Sequence, residues 1–216
     1  MCVRFWEGGI VLVLVLAIAL SFGVGFLRGG TFSNLTRTRL RFIPFVFLAV
    51  FVQLLIFSTI LGREPIVHRI GPYIHIATLV VSLGVMLLNR RVPGMKLIAA
   101  GAALNLLVIA ANGGFMPISE SALQTAGLEE MLVDNQPRNG SEDYVLPNSK
   151  VMDGDANLLF LGDVIPIPEE APISTIVSIG DVILAFGACV VVVSGMRTRN
   201  PRGEDEATLV LQESTR

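Results

Sequence analysis

Residues 112–172 form a long polar segment between the last two apolar runs, and this segment decides how the chain folds. It opens with Asn-Gly-Gly-Phe-Met-Pro at residues 112–117 and closes with Phe-Leu-Gly-Asp-Val-Ile-Pro-Ile-Pro at residues 160–168. The chain before the segment, and the run after it, have the composition of helices that are soluble in hydrocarbon. We therefore expect residues 112–172 to be the only sizeable part of the chain outside a membrane.

Charge is scarce in this chain and unevenly distributed. Of its 216 residues, 52% are hydrophobic and 16% are charged, against about 25% charged residues in a typical soluble domain. The charged residues crowd between five apolar runs, which indicates a polytopic membrane protein rather than a soluble core. The expected partners are the lipid bilayer or a larger membrane protein complex, and not nucleic acid. No pattern predicts a cofactor, and Cys2 and Cys189, at different expected depths, predict no disulfide framework.

The apolar runs define the predicted membrane spans. A helix rises about 1.5 Å per residue, so about 20 apolar residues cross a hydrocarbon core of about 30 Å. The runs cover residues 10–27, 43–61, 73–88, 97–111 and 173–194. We predict an all-α membrane protein with five transmembrane helices and a long external loop between helices four and five. Its predicted parts are four transmembrane helices in 1–111, the external loop packed on the bundle in 112–172, the fifth transmembrane helix in 173–195 and a cytoplasmic tail in 196–216.

Basic residues indicate the orientation of the spans, because Lys and Arg in short loops favour the cytoplasmic side. They are concentrated after the first, third and fifth runs. These residues are Arg28, Arg37, Arg39, Arg41, Arg90, Arg91, Lys96, Arg197, Arg199 and Arg202. With five spans, all three segments lie on one side of the membrane, so we predict N-out and C-in. The acidic loop then faces outward.

The first predicted helix carries a stripe of small residues. Ala17, Ser21 and Gly25 repeat at intervals of four and share one helix face. We expect this face to let a neighbouring helix approach closely, because small side chains bring two backbones together in a membrane.

The long loop combines three kinds of sequence. Residues 119–132 have helical character, with Ser119 in the position of a cap. Residues 157–168 are apolar but too short and too rich in proline to span, so we expect an extended segment on the bundle or on the membrane surface. Residues 136–149 have little apolar surface to bury, so the ends of the loop should be ordered and its middle flexible.

Asp181 is the strongest candidate for a functional side chain. It lies about two turns into the fifth apolar run, where an ionised carboxylate costs a few kcal/mol unless it has a partner. The expected partners are His75, Asn105 or Asn112, which lie on the polar faces of helices three and four. One interpretation is a proton or ligand site. The other is a hydrogen-bond anchor between helices near the outer interface.

Two further patterns point to enzymatic or metal chemistry but are incomplete. Gly-Asp-Val-Ile occurs at residues 162–165 and again at 180–183, as paired Gly-Asp motifs do in intramembrane aspartyl proteases, but the fuller G-x-G-D pattern is absent. Residues 153–157 begin like an EF-hand loop, but Leu158 and Val164 stand where its glycine and glutamate belong. We therefore assign no catalytic residue and no metal ligand, although a calcium site on the acidic loop stays open.

Three short motifs frame the external loop in a fixed order. They are Gly-Gly-x-Met-Pro with Gly113, Gly114, Met116 and Pro117, then Leu-Gly-Asp with Gly162 and Asp163, then Gly-Asp with Gly180 and Asp181. In this order they resemble the signature of a family of small multi-pass bacterial membrane proteins that is classified only as a domain of unknown function. The resemblance covers most of the chain from the second run onward. It implies a multi-pass protein of the bacterial inner (plasma) membrane and assigns no activity.

These patterns together favour a non-enzymatic protein, either an accessory subunit or a small binding module. The alternative is a transporter-like or enzymatic protein with a proton or ligand site around Asp181 and His75. Asn105, Asn112 and Asp163 complete the set of candidate functional or helix-anchoring residues. Activity of the purified protein that depends on Asp181 would favour the alternative, whereas stable co-purification with a larger complex would favour the first interpretation.

Overall fold

The computed structural model describes residues 3–36, 38, 40–57, 65–128, 149–152, 156–168, 170–171 and 174–197. Within these ranges the protein is mostly helical. The helices are α1 (Val3–Leu27), α2 (Phe32–Thr36), α3 (Ile43–Ile56), α4 (Pro65–Leu88), α5 (Met95–Ala111), α6 (Glu120–Thr125) and α7 (Ile179–Met196). The strands are β1 (Met116–Ile118), β2 (Ser149–Val151), β3 (Asp163–Ile167) and β4 (Thr175–Ser178).

Each of the five predicted runs contains a helix, but only two of these helices are long and apolar enough to cross a membrane by length and composition. In the described part of the chain these two are Arg69–Leu88 within α4 and Ile179–Met196, which is α7. The shorter apolar helices are Val15–Leu27, Ile43–Ile56 and Met95–Ala111. The prediction of five transmembrane helices is therefore supported for two of them.

The prediction of an all-α fold is wrong, because residues 116–178 contribute a four-stranded sheet. Its strand order is β2-β1-β3-β4, with β1 parallel to both β2 and β3, and β3 antiparallel to β4. The sequence hides this sheet because its strands have only three to five residues and because both partners of β1 are distant in the chain. Pro117 also lies in β1, an inner strand, where proline normally argues against strand structure.

Helix α6 and the sheet form a small domain at one end of the helices, here called the cap. We define the cap as β1–β4, α6 and the 3₁₀ turn Leu159–Leu161. Its core contains Ile118, Ala122, Leu123, Ala126 and Ile176, all buried. Ser119 occupies the predicted cap position of α6, but its hydroxyl bonds that of Ser121 instead of a backbone N–H. The predicted extended segment is present as β3, whereas residues 136–148 of the predicted flexible middle lie outside the described residues.

A second cluster of buried side chains joins the cap to the helices. Val108 and Ile109 from the last two turns of α5 pack with Met116 of β1 and Leu161 of the 3₁₀ turn. The buried apolar surface therefore continues from α5 into the cap, which fixes the cap against the helix ends.

Helices α5 and α7 run antiparallel and meet through two pairs of glycines. Gly101 lies against Gly180, and a Cβ added to Gly101 would stand 2.5 Å from the Gly180 carbonyl oxygen. Gly94 lies against Gly187, and a Cβ added to Gly187 would stand 2.7 Å from the amide nitrogen of Ile98. Both pairs are seven residues apart along each helix, so the two backbones stay in contact over two turns.

The predicted close approach along the small-residue stripe of α1 is also confirmed, with α7 as the neighbour. The thiol of Cys189 donates a hydrogen bond to the carbonyl of Ala17 at 3.5 Å. Gly25 lies against the side chain of Met196, which leaves no room for a Cβ. Helix α7 is thus held between α1 and α5, and α5 packs in turn on α4 and α4 on α3.

Candidate functional site

The three sequence motifs meet in space at the boundary between the cap and the helices. Strand β1 begins at Met116 of the first motif, β3 begins at Asp163 of the second, and β4 ends at Ser178 beside the third. Asp163 is the register partner of Ile118 in β1 and of Ser178 in β4. The first two motifs therefore contribute to the neighbouring strands β1 and β3, and the third lies in the first turn of α7, after β4. We call the group of Asn105, Asp163, Ser178 and Asp181 the motif junction.

Asp181 lies in the first turn of α7, and not two turns into a membrane helix as predicted. Residues 175–178 form β4, so the helix begins only at Ile179. The Ser178 hydroxyl accepts a hydrogen bond from the Asp181 amide at 3.0 Å, and the Ser178 amide donates to Asp181 Oδ2 at 3.0 Å. This reciprocal capping box satisfies two backbone donors at the helix start, where a negative charge also complements the helix dipole.

Asn105 of α5 bonds to both members of this capping box. Its Nδ2 donates to Asp181 Oδ1 at 2.7 Å, and its Oδ1 accepts from the Ser178 hydroxyl at 3.1 Å. Asn105 is therefore the one of the three predicted partners that contacts Asp181. Gly180 makes room for it, because a Cβ at Gly180 would collide with the amide oxygen of Asn105.

His75 bonds to the first motif, at the turn that precedes β1. It is 4% exposed, and its Nδ1 lies 2.9 Å from the carbonyl oxygen of Gly114. Since a carbonyl only accepts, Nδ1 carries the proton in this bond. Gly114 has a φ of 95° and lies so close to α4 that an added Cβ would stand 2.8 Å from the Cα of Pro72. The first motif therefore packs directly on α4, and any other residue in place of Gly114 would be strained.

Asn112 ties the end of α5 to the segment before the 3₁₀ turn. Its side-chain Nδ2 donates to the backbone carbonyls of Val108 and Asn157, each at 2.8 Å. Its Oδ1 accepts from the Asn157 backbone amide at 2.9 Å. Asn112 is 9% exposed, and these bonds hold the segment before the 3₁₀ turn against the end of α5.

Asp163 is the unusual member of the motif junction. The residue is 3% exposed, and its Oδ1 has no hydrogen-bond partner among the described residues. Burial raises the pKa of Asp163 well above its usual range, and the negative charge of Asp181 raises this pKa further. Both effects favour the protonated carboxyl of Asp163. At Asp181, each of the two carboxylate oxygens accepts a hydrogen bond.

The arrangement limits the chemistry that the junction can perform. Asn105 and Ser178 each donate one hydrogen bond to the Asp181 carboxylate, and these two bonds fix its position and orientation. In the part of the chain that the structure describes, no group of three or more His, Cys, Asp or Glu side chains could hold a metal ion. Residues 153–155, the start of the EF-hand-like stretch, lie outside the described residues.

Sequence reasoning missed the capping box, although the signal was present. Ser178 and Asp181 have the Ser-x-x-acid spacing that marks a helix start just before an apolar run. The role of Asn157 as the partner of Asn112 had no such signal, since the two residues are 45 positions apart.

Fold and site together define a class: a mostly helical protein with two helices long enough to span a membrane and a mixed sheet over one end. Residues 37–193 match the model of DUF5317, a family of unknown function. This match covers well over half of the 216 residues and includes all three motifs, so the chain belongs to this family. No match to the chain was found among curated proteins or among solved structures.

Proposed function

We propose that the protein is a non-enzymatic, multi-pass protein of the bacterial inner membrane, and that it acts as an accessory subunit or small binding module. In this proposal all five apolar helices cross the bilayer, with the N-terminus and the cap outside and the C-terminus in the cytoplasm. The large apolar side chains on the outer faces of the helices support membrane insertion. Leu20, Phe47 and Phe186 are 71%, 70% and 61% exposed, a pattern that suits lipid and not water.

The hydrogen bonds of the candidate site residues support the non-enzymatic part of the proposal. Asp181, Asn105, Asn112 and His75 each make hydrogen bonds that tie the cap to the helices or begin α7. Groups that act on a substrate need free donors or acceptors facing a cavity. Each of these four residues instead makes hydrogen bonds within the fold, which supports a structural role.

The cap also has an apolar outer surface on which a partner subunit can bind. Leu158, Phe160 and Ile165 are 36%, 62% and 39% exposed. The test is purification of the tagged full chain from its own membranes in mild detergent, with Phe160→Glu compared with Gln124→Glu on exposed α6. We expect the wild type and Gln124→Glu to remain in a complex larger than one chain, and Phe160→Glu to release it. A wild type that elutes as a single chain overturns the proposal.

The second candidate function is a proton or ligand site at the motif junction, and Asp163 is the observation that favours it. Its buried Oδ1, which has no hydrogen-bond partner among the described residues, is the kind of group that holds a proton or contacts a ligand. The test is reconstitution of the chain into liposomes under an imposed pH gradient. Proton movement by the wild type that is lost in folded Asp163→Asn supports this candidate. Liposomes that behave like empty ones support the first proposal.

A further inference from the structure

At the end of the bundle opposite the cap, three basic side chains line a hollow in the protein surface. Helix α4 ends at Leu88 and α5 begins at Met95, and the loop between them surrounds an open hollow of about 470 Å³. Arg90, Arg91 and Lys96 line it, all three exposed. Within the described residues, none of the three forms an ion pair.

The loop backbone around this hollow is fixed from two sides. The Asn89 side chain accepts from the Arg41 amide and donates to the Arg41 carbonyl, both at 2.8 Å, which holds the loop to the start of α3. Gly94 has a φ of 86° and packs on α7, where an added Cβ would stand 2.8 Å from the Val191 nitrogen. Arg90 and Arg91 therefore lie on a preformed loop and Lys96 lies in the first turn of α5, so none of the three belongs to a free tail.

The surroundings of the hollow match a lipid better than a soluble anion. Leu87, Leu88 and Leu97 are 49%, 61% and 36% exposed and lie on the helix ends next to the loop. The hollow also opens at the N-terminus of the 17-residue helix α5, where the helix dipole favours negative charge. Basic side chains that suit a phosphate, next to apolar side chains that suit acyl chains, match an anionic phospholipid at the membrane surface.

Among the described residues, the charged side chains at this end of the bundle are all basic. Arg28, Arg41 and Arg197 lie there as well, since the Thr31 amide bonds the carbonyl of Met196 at 2.9 Å and joins the ends of α1 and α7. Among the described residues of this end, 28–36, 38, 40–42, 89–96 and 197, there is no Asp or Glu. We infer that the hollow formed by Arg90, Arg91 and Lys96 is a binding site for the headgroup of an anionic phospholipid of the cytoplasmic leaflet. This inference rests on the proposed membrane insertion.

The experiment compares two triple variants of the full chain, purified in an uncharged detergent, by native mass spectrometry. Arg90→Gln, Arg91→Gln and Lys96→Gln change the hollow, whereas Arg28→Gln, Arg41→Gln and Arg197→Gln remove the same charge from the same end outside it. The probe is phosphatidylglycerol, with phosphatidylcholine and inorganic phosphate as separate arms. We expect the hollow variant to lose affinity for phosphatidylglycerol on the order of tenfold or more, and the control variant to lose much less.

Three results overturn the inference: equal losses in both variants, no preference of the wild type for phosphatidylglycerol over phosphatidylcholine, or binding of inorganic phosphate as tight as that of the lipid. If the hollow variant does not fold, a photoactivatable phosphatidylglycerol bound to the wild type decides the matter. Its cross-links should fall within residues 87–97, and cross-links elsewhere contradict the site. Extraction of the protein from membranes by alkaline carbonate is a separate result, because it would overturn membrane insertion and hence the proposed function.

Discussion

The two ends of the helix bundle use their polar residues in different ways. At the cap end, Asn105, Asn112 and His75 are wholly or partly buried and bonded to residues of the cap or the start of α7. At the opposite end, Asn89 is also buried and bonded to Arg41, whereas Arg90 and Arg91 are exposed. Buried polar residues therefore specify the fold at both ends, and in our proposal the exposed cations of the basic end meet the membrane surface.

This difference separates the expected effects of mutation. A change at the cap end should cost free energy of unfolding, because it leaves buried donors or acceptors without partners. Loss of an exposed charge at the basic end should change stability by no more than about 0.5 kcal/mol and should alter only the interaction with lipid.

The largest effect is expected for Asp181→Leu. It removes the acceptors of the Ser178 amide and the Asn105 side chain at once, at about 2–4 kcal/mol. Asp181→Asn keeps one acceptor and should cost less than half of that. The measurement is the midpoint of thermal unfolding of the purified protein. Normal stability of Asp181→Leu would mean that this side chain faces water, and the anchoring role would be wrong.

Gly180→Ala is expected to have the next largest effect. Its Cβ would stand 2.9 Å from the carbonyl oxygen of Gly101 and would also collide with the Asn105 side chain, which forces α5 and α7 apart at about 1–3 kcal/mol. Gly84→Ala in α4 is the matched control, because nothing lies within 4 Å of the new methyl group. The control should unfold at an equal or higher temperature, since alanine favours a helix. Equal behaviour of the two variants would contradict the glycine contact.

The helices of the bundle could be predicted from the sequence more closely than the cap. The predicted runs begin at Ile43 and end at Leu88 and Ala111, where α3, α4 and α5 begin or end. These boundaries follow from hydropathy, which is a local property. Local sequence does not reveal which helices face each other, so the contact between Gly101 and Gly180 was not predictable.

The cap was missed because its structure depends on pairing between distant residues. Thr175–Ser178 is apolar enough to be merged with the helix that follows, and the depth of Asp181 was misjudged for that reason. The partnership of Asp181 with Asn105 was among the predicted ones, because both belonged to polar faces of apolar helices. The burial of Asp163 was not predicted, since a short strand next to prolines looks solvent-exposed in sequence.

A smaller, pH-dependent effect is expected for Asp163→Asn. Because the folded-state pKa of Asp163 is raised, its stabilising contribution is complete below the unfolded pKa of about 3.9 and is lost as the pH rises through the folded value. Asparagine does not titrate, so the variant does not lose stability in this way as the pH rises. The variant should therefore gain stability relative to the wild type with rising pH, by at most about 1.4 kcal/mol per pH unit.

The measurement is thermal unfolding of both proteins between pH 4 and pH 8. Glu120→Gln, the same change at an exposed position of α6, is the control and should follow the wild type at every pH. Parallel curves for Asp163→Asn and the wild type would show that the carboxyl of Asp163 is not buried as described.

The most direct test of the account is whether the two ends of the bundle lie on opposite sides of a membrane. In a chain whose two cysteines are replaced by serine, single cysteines are introduced at Gln124 of the cap and at Ser33 of α2, both exposed positions. A membrane-impermeant maleimide is then added to intact spheroplasts. We predict that the cysteine at position 124 is labelled at once and the cysteine at position 33 only after permeabilisation. Labelling of both in intact spheroplasts, or the reverse pattern, would contradict the account.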